Sequence, residues 1–235
     1  MSIVSIANPK GGSGKTTTTL LMGTGLAKRG ASVTIIDADP EAWLTRWSRM
    51  PNKPDNINVV SEFSVDSIFD TVASAKSSSD YVLIDMEGTA SVMASNCVLI
   101  SDFVVVPTQG SPMDAVGAVK MVNMVTNQAK AVNRNTGVSV LFTRTSAALT
   151  TRSLKSIELE FHSAGLDTFK TKLVERSAYR ELSSFGGTLE TLPRKDVSNV
   201  DKAIINADQF VEEFLGKLER SKTAPNNETP MEESA

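Results

Sequence analysis

A glycine-rich turn between an apolar run and a helical pattern constrains this chain more than any other feature. The run SIVSIAN, residues 2–8, has the composition of a buried strand, and residues 11–14 read GGSG. The segment TTTTLLMGTGLAKRG that follows has apolar residues at helical spacing and ends on Gly30, a typical helix C-cap. A strand that turns through glycines into a helix directs backbone N–H groups and the positive helix end to one point. The chain therefore begins with a unit suited to an anion.

The rest of the body repeats the alternation of strand and helix. Strand-like runs are ASVTIID, INVVS, YVLIDM, DFVVVPT and VSVLFTR, and helical patterns cover about 41–50, 65–76, 112–131 and 197–220. Nearly continuous apolar strands between amphipathic helices predict an α/β fold, a doubly wound, mostly parallel sheet with helices on both faces. We predict one domain over residues 1–220 and a disordered acidic tail over 221–235, which lacks an aliphatic period.

Composition excludes several classes of protein. The chain has 24 Lys and Arg against 27 Asp and Glu, which excludes a histone-like polycation but allows a local basic face. Cys97 is the single cysteine, so one chain forms neither an internal disulfide nor a cysteine-rich cluster site. No apolar run approaches the roughly 20 residues that span a bilayer, and the glycine loop starts about ten residues from Met1, too near for a cleaved leader. We expect a cytoplasmic protein.

The glycine loop reads KGGSGKT over residues 10–16. It is a variant of the G-x-x-x-x-G-K-[ST] phosphate-binding loop in which Pro9 stands at the first glycine. In such a loop Lys15 neutralises the β- and γ-phosphates of a nucleotide, and the Thr16 hydroxyl is a magnesium ligand. A flexible glycine turn without a ligand is the alternative, which the flanking strand and helix disfavour. The loop predicts ATP and Mg²⁺ as ligands.

Lys10 is a second lysine that a phosphate loop does not itself require. The K-G-G-x-G-K-T form resembles the deviant Walker loop of the ParA/MinD family of P-loop ATPases. In that family the early lysine reaches across a dimer interface to the phosphates bound by the other subunit, so the resemblance implies an ATP-dependent homodimer. Such a lysine gains a phosphate partner with ATP and is desolvated without one. A solvated loop lysine is the alternative.

Three carboxylates extend the resemblance. IIDADPEAWLTRW is similar to the family's segment after the second strand, which implies that Asp37 supports magnesium and that Asp39 orients or deprotonates the attacking water. Acids at these positions could instead cap the next helix. YVLID ends in Asp85, which resembles the Walker B carboxylate, followed by Glu87 where the family commonly has small residues. The implied catalytic residues are Lys10, Lys15 and Asp39, and the implied magnesium set is Thr16, Asp37 and Asp85.

The nucleotide set is completed by Thr143 and Arg144, which end a strand on the loop side, where we expect them to border the adenine. The predicted nucleotide-binding residues are Lys10, Gly11, Gly12, Ser13, Gly14, Lys15, Thr16, Thr17, Thr143 and Arg144. Other conspicuous residues receive structural interpretations. Ser111, Pro112 and Asp114 predict a helix cap, and Trp43 and Trp47 predict core or interface packing.

The segments NPKGGSG, ADPEAWLTRW and SDFVVVPTQGSPMD look most similar to small plasmid partition ATPases of the ParF kind, and to related conjugation-associated proteins. The resemblance implies a weak, magnesium-dependent ATPase, located near the nucleoid. Its ATP-bound dimer would bind DNA without sequence preference, and a centromere-binding partition protein would stimulate hydrolysis. Candidate DNA-contacting residues are Arg152, Lys155, Lys170, Lys172, Arg194, Lys195 and Lys202.

Several alternative functions stay open at this point. A relative of this kind could recruit relaxase complexes in conjugation, position another cargo, or act as a nucleotide-dependent scaffold without hydrolysis. A MinD-like membrane ATPase would need a basic amphipathic helix at its C-terminus, whereas this chain ends in ETPMEESA. A cluster carrier would need paired cysteines, which are absent.

Overall fold

A single six-stranded sheet organises the chain in the computed structural model, which describes residues 1–88, 91–147 and 151–223. The strands are β1 Ser2–Ile6, β2 Val33–Ala38, β3 Ile57–Ser61, β4 Tyr81–Met86, β5 Phe103–Thr108 and β6 Gly137–Phe142. Their order across the sheet is β3-β2-β4-β1-β5-β6, and every neighbouring pair is parallel. The predicted α/β fold is confirmed, and the sheet is wholly parallel within the described residues.

Helices cover both faces of this sheet. They are α1 Lys15–Lys28, α2 Trp43–Ser48, α3 Ile68–Ser78, α4 Val92–Ile100, α5 Pro112–Ala131, α6 Arg152–Ser163, α7 Ser177–Phe185 and α8 Val200–Thr223. Successive strand residues point to opposite faces, so Ile35 joins the core beneath α1, α2, α7 and α8, while Ile36 joins the core beneath α3 to α6. None of the helices in these described ranges is both long and apolar enough to cross a membrane.

The second and third helices begin later than predicted. The second helix begins at Trp43 rather than Glu41, because Ala42 has a left-handed backbone with φ 50°. The third begins at Ile68 rather than near Val65, because the Glu62 carboxylate accepts hydrogen bonds from the Ser64 N–H and the Thr71 hydroxyl and holds a loop ahead of it.

The last helix continues to Thr223, three residues into the segment predicted to be a tail. Residues 224–235, which hold the rest of that predicted tail, lie outside the described residues. The predicted C-cap at Gly30 is confirmed, since this glycine has φ 88° and its N–H donates to the Ala27 carbonyl at 2.9 Å.

Parallel strands bring their carboxyl ends to one edge of the sheet, where α/β proteins bind ligands. The glycine loop follows β1 at this edge, and Asp37 and Asp85 lie near the ends of β2 and β4. These two aspartates are direct partners in the register of the paired strands. The topology therefore brings segments that are distant in sequence to a single location.

Candidate active site

A cleft of about 730 Å³ opens beside the glycine loop, a volume within the usual range for small-molecule sites. The lining residues that the sequence had predicted are Gly11, Gly12, Gly14, Lys15, Thr16, Thr17, Asp39 and Arg144. A smaller recess of about 140 Å³ adjoins it through Gly14 and Thr17, and Thr143, Arg144 and Tyr179 line this recess. The fold thus gathers the glycine loop and the predicted adenine border in continuous space.

The backbone of the loop explains its glycines. Gly12 and Gly14 have φ of 74° and 95°, a left-handed region that residues with a Cβ rarely adopt. A Cβ at Gly14 would also lie 3.3 Å from Oγ1 of Thr143. The Thr143 hydroxyl donates to the Ser13 carbonyl at 2.7 Å. Thr143 therefore supports the loop from behind as well as lining the recess.

Lys15 lies almost buried at the base of the cleft, and its Nζ donates to the Lys10 carbonyl at 3.3 Å. Burial lowers the pKa of its ammonium, and the negative charges of Asp85, Asp39 and Glu87 act in the opposite direction. The acceptor of this ammonium is thus a neutral carbonyl oxygen. A buried cation in this setting is suited to bind a dense anion such as a phosphate group.

Lys10 has different surroundings. Its side chain is 43% exposed, and its Nζ forms an ion pair with Oδ1 of Asp114 at the start of α5. The Ser111 hydroxyl donates to the other oxygen of this carboxylate, and Oγ of Ser111 accepts from the Asp114 N–H at 3.3 Å. The predicted helix cap is confirmed, but the sequence did not indicate that Asp114 also holds Lys10. The two lysines thus point to different partners.

Two buried carboxylates lie behind Lys15. Oδ2 of Asp37 accepts hydrogen bonds from the N–H and hydroxyl of Thr45 at 2.7 and 2.8 Å, so Asp37 caps α2, as the alternative interpretation proposed. Oδ1 of Asp85 accepts from the Thr19 hydroxyl at 3.0 Å. Burial raises the pKa of Asp85 to about 7, while hydrogen bonds from Thr16 and Thr19 oppose this shift.

One oxygen of each carboxylate, Oδ1 of Asp37 and Oδ2 of Asp85, is buried without a hydrogen-bond partner among the described residues. With the Thr16 hydroxyl they form a donor set of oxygen atoms alone, the ligand type that Mg²⁺ prefers. The described ranges contain no group of three or more acidic, histidine or cysteine ligands. The set therefore fits a magnesium ion that takes its remaining ligands from water and substrate phosphates.

Asp39 lies further out in the cleft, and its Oδ1 accepts from the Glu41 N–H at 2.9 Å. Gly88 is a site residue that the sequence did not single out. A Cβ at this position would lie 3.0 Å from both the Gly11 nitrogen and Nζ of Lys15. Gly88 follows the end of the Walker B-like strand by two residues. This position, directly after Glu87, is the sequence feature from which its place in the site could have been predicted.

Comparisons with known proteins show the family to which this chain belongs. A family model described as VirC1 protein matches residues 1–210. A protein named ParA from Rhizobium radiobacter is 33% identical over 218 residues, which cover 93% of this chain and 98% of that protein.

Solved structures share the fold at lower identity. An ATP complex of a McdA variant from Cyanothece is 18% identical with a TM-score of 0.72, and the match covers 92% of this chain and 96% of that one. The MinD cell division protein of Aquifex aeolicus is also 18% identical, with a TM-score of 0.66 over 92% of this chain and 98% of that one. The chain belongs to the VirC1 family and is a ParA/MinD-family protein with the fold of P-loop NTPases.

Proposed function

We propose that this chain binds ATP with Mg²⁺ in the cleft beside the glycine loop and hydrolyses it slowly. The observation that carries the proposal is the pair of unpartnered buried oxygens on Asp37 and Asp85 behind the Lys15 ammonium. In this arrangement Lys15 and the loop N–H groups bind the β- and γ-phosphates, and Thr16, Asp37 and Asp85 hold the magnesium shell. The metal supplies positive charge that offsets the charge of the phosphate oxygens.

Hydrolysis transfers the γ-phosphoryl group to water. The water oxygen bonds to phosphorus, the bond from phosphorus to the β–γ bridging oxygen breaks, and the water proton passes to a carboxylate or to phosphate. We assign the orientation of this water to Asp39, because its carboxylate lines the same cleft as Lys15. The recess lined by Thr143 and Arg144 is assigned to the adenine.

Lys10 is assigned to the nucleotide of a second subunit. Its ammonium is half exposed and pairs with Asp114 of its own chain, while Lys15 occupies the cleft. A second copy that brings a bound ATP to this face would offer a stronger anionic partner than one carboxylate. The ATP-bound form is therefore a homodimer around two nucleotides, in which each site is complete only with the partner.

The cellular role that we propose is DNA partition, since the matched relative from Rhizobium radiobacter bears the name ParA. The dimer binds DNA without sequence preference near the nucleoid, and a centromere-binding protein stimulates hydrolysis and releases it. A second candidate is recruitment of DNA-processing complexes in conjugation, which the VirC1 family match favours. A small DNA-binding protein encoded next to this chain's gene would favour partition, and a relaxase cluster would favour conjugation.

The loop assignment is tested by Lys15→Ala. We expect this variant to lose ATP binding, because the β- and γ-phosphates lose their buried cationic partner. Titration calorimetry with Mg–ATP measures the affinity, and Lys120→Ala, an exposed lysine on α5, is the matched control. An affinity within about twofold of the parent would be incompatible with this use of the loop.

A further inference from the structure

The segment that carries Asp39 is a tight turn with an unfavourable backbone. The Ala42 N–H donates to the Asp39 carbonyl at 2.8 Å, and the Glu41 N–H donates to Oδ1 of Asp39 at 2.9 Å. Ala42 closes the turn with φ 50° and ψ 41°. A residue with a Cβ pays a penalty in this left-handed region, so this turn requires support from its surroundings.

Arg46, one helical turn further along, supplies that support. Its Nη2 donates to the Glu41 carbonyl, and its Nε approaches the Ala42 carbonyl at 3.4 Å. The guanidinium lies 4.0 Å from the centre of the Trp43 ring, a cation–π arrangement. No carboxylate forms an ion pair with Arg46 in residues 1–88, 91–147 and 151–223.

The neighbouring contacts join the same turn to the magnesium set. Thr45, adjacent to Arg46 on α2, donates two hydrogen bonds to Asp37. Trp43 and Arg46 themselves line the cleft together with Asp39 and Lys15. Trp43 is 47% exposed although it is a large aromatic residue. Its cation–π contact with Arg46 accounts for its exposed position.

We propose that Arg46, braced by Trp43, is a positioning residue for hydrolysis. It holds the carbonyls of Glu41 and Ala42, and thereby keeps the Asp39 carboxylate in one place beside the phosphates. The inference rests on the proposed ATP hydrolysis for its kinetic consequence, but the holding of the turn is a property of the chain alone. A fixed carboxylate raises the rate of the chemical step without strengthening ATP binding.

The kinetic test compares Arg46→Ala with Arg49→Ala. Arg49 is an exposed arginine three residues along the chain, at the end of α2, and is absent from the cleft lining. We expect Arg46→Ala to lower the single-turnover hydrolysis rate by about tenfold or more while the Kd for Mg–ATP stays within about twofold. Arg49→Ala should match the parent in both. An unchanged rate in Arg46→Ala would overturn the proposal.

A second substitution separates positioning from direct contact with phosphate. Glycine adopts the left-handed region without the strain that alanine has there. Adding Ala42→Gly to Arg46→Ala should therefore raise the hydrolysis rate by about fivefold or more over that of Arg46→Ala alone. If Arg46 instead contacts the nucleotide, Arg46→Ala loses ATP affinity and Ala42→Gly restores nothing. That result would assign Arg46 to binding and contradict positioning.

Amide hydrogen exchange tests the turn without any hydrolysis. We expect the Glu41 and Ala42 amides to exchange about tenfold faster in nucleotide-free Arg46→Ala than in the parent or in Arg49→Ala. Unchanged exchange would overturn the proposal even if ATP is hydrolysed. Faster exchange in a chain that never hydrolyses ATP would contradict the proposed function while leaving the role of Arg46 in the turn intact.

Discussion

At the scale of single residues, the site is organised by side chains whose burial conflicts with their charge. Asp85 is fully buried beside Asp37, and Lys15 is nearly so. Burial alone disfavours both the carboxylate and the ammonium. Such groups are retained where a ligand supplies the missing partner, which in the proposed function is magnesium for the carboxylates and phosphate for the lysine. We therefore expect these buried charged groups to lower the free energy of unfolding of the nucleotide-free chain.

Asp85→Asn tests that conflict through pH. The pKa of Asp85 lies near 7 in the folded chain, well above its ordinary value of 3.8. Between these values the folded state holds a proton that the unfolded state has lost, so its contribution to stability is present at acid pH and is lost as pH rises to about 7. Asparagine does not titrate. As the pH rises from 4 to 8, the free energy of unfolding of the variant should therefore increase relative to that of the parent by about 2 to 4 kcal/mol.

Thermal unfolding in EDTA at several pH values measures this difference. The Asn variant should unfold at higher temperature than the parent at pH 8, and the gap should narrow toward pH 5. A constant gap across the range would mean that Asp85 does not titrate as a buried carboxyl group in the metal-free chain.

At the scale of elements, the close approach of α8 to the sheet depends on a glycine at the start of β6. A Cβ at Gly137 would lie 2.4 Å from Cδ2 of Phe103 and 2.8 Å from Cβ of Ser221. These neighbours belong to the adjacent strand and to the end of α8, so neither can move without disturbing the other. Gly216 differs, because it lies inside α8 and a Cβ there would meet only the tip of Arg220, at 3.4 Å.

The two glycines should respond oppositely to alanine. We expect Gly137→Ala to lower the free energy of unfolding by about 1 to 3 kcal/mol through overpacking. Gly216→Ala should raise it by about 0.5 to 1 kcal/mol, because alanine loses less backbone entropy in a helix interior. Urea unfolding measures both values. Equal effects of the same sign would show that α8 does not pack as described.

The strands and helices were predicted from the sequence more completely than the contacts between side chains. All six strands followed from apolar runs. A strand buried on both faces has little freedom of composition, and only the edge strand β3 is largely exposed or half-buried among the strands of the described residues. The predicted start of α2 at Glu41 was two residues too early, since nothing in the composition indicates a left-handed Ala42. The pairing of Lys10 with Asp114 joins residues far apart in the chain, and the sequence specified the capping role of Asp114 but not this contact.

At the scale of the whole molecule, charge is distributed unevenly. Residues 54–119 contain nine Asp and Glu and a single basic residue, Lys76. This segment forms β3 to β5 with α3, α4 and the start of α5. Phosphate would be repelled there, so we place the proposed DNA contacts on the later elements. Among the candidates, Arg194 and Lys172 already pair with Asp201 and Glu158.

Arg152 and Lys155 are exposed at the start of α6 and form no ion pair within the described residues. We expect DNA affinity of the ATP form to fall steeply with salt, and the double variant Arg152→Ala with Lys155→Ala to reduce the slope of log K against log salt by about 2. Arg194→Ala, which removes a cation already paired with Asp201, should change the slope less. Fluorescence anisotropy with DNA of two unrelated sequences measures this, and a strong sequence preference would contradict contacts confined to phosphates.

In the proposed function, Lys15 binds the nucleotide of its own subunit and Lys10 binds that of the other. Lys10→Ala separates them, because it leaves the cleft lining intact and removes only the exposed ammonium. The direct measurement is the molar mass by light scattering with Mg²⁺ and a non-hydrolysable ATP analogue, with nucleotide affinity determined on the same preparation. We predict that the parent has the mass of a dimer, and that Lys10→Ala binds the analogue equally well but has the mass of a monomer. A Lys10→Ala variant that binds the analogue and still forms the dimer would rule out the role of Lys10 at the nucleotide of the other subunit.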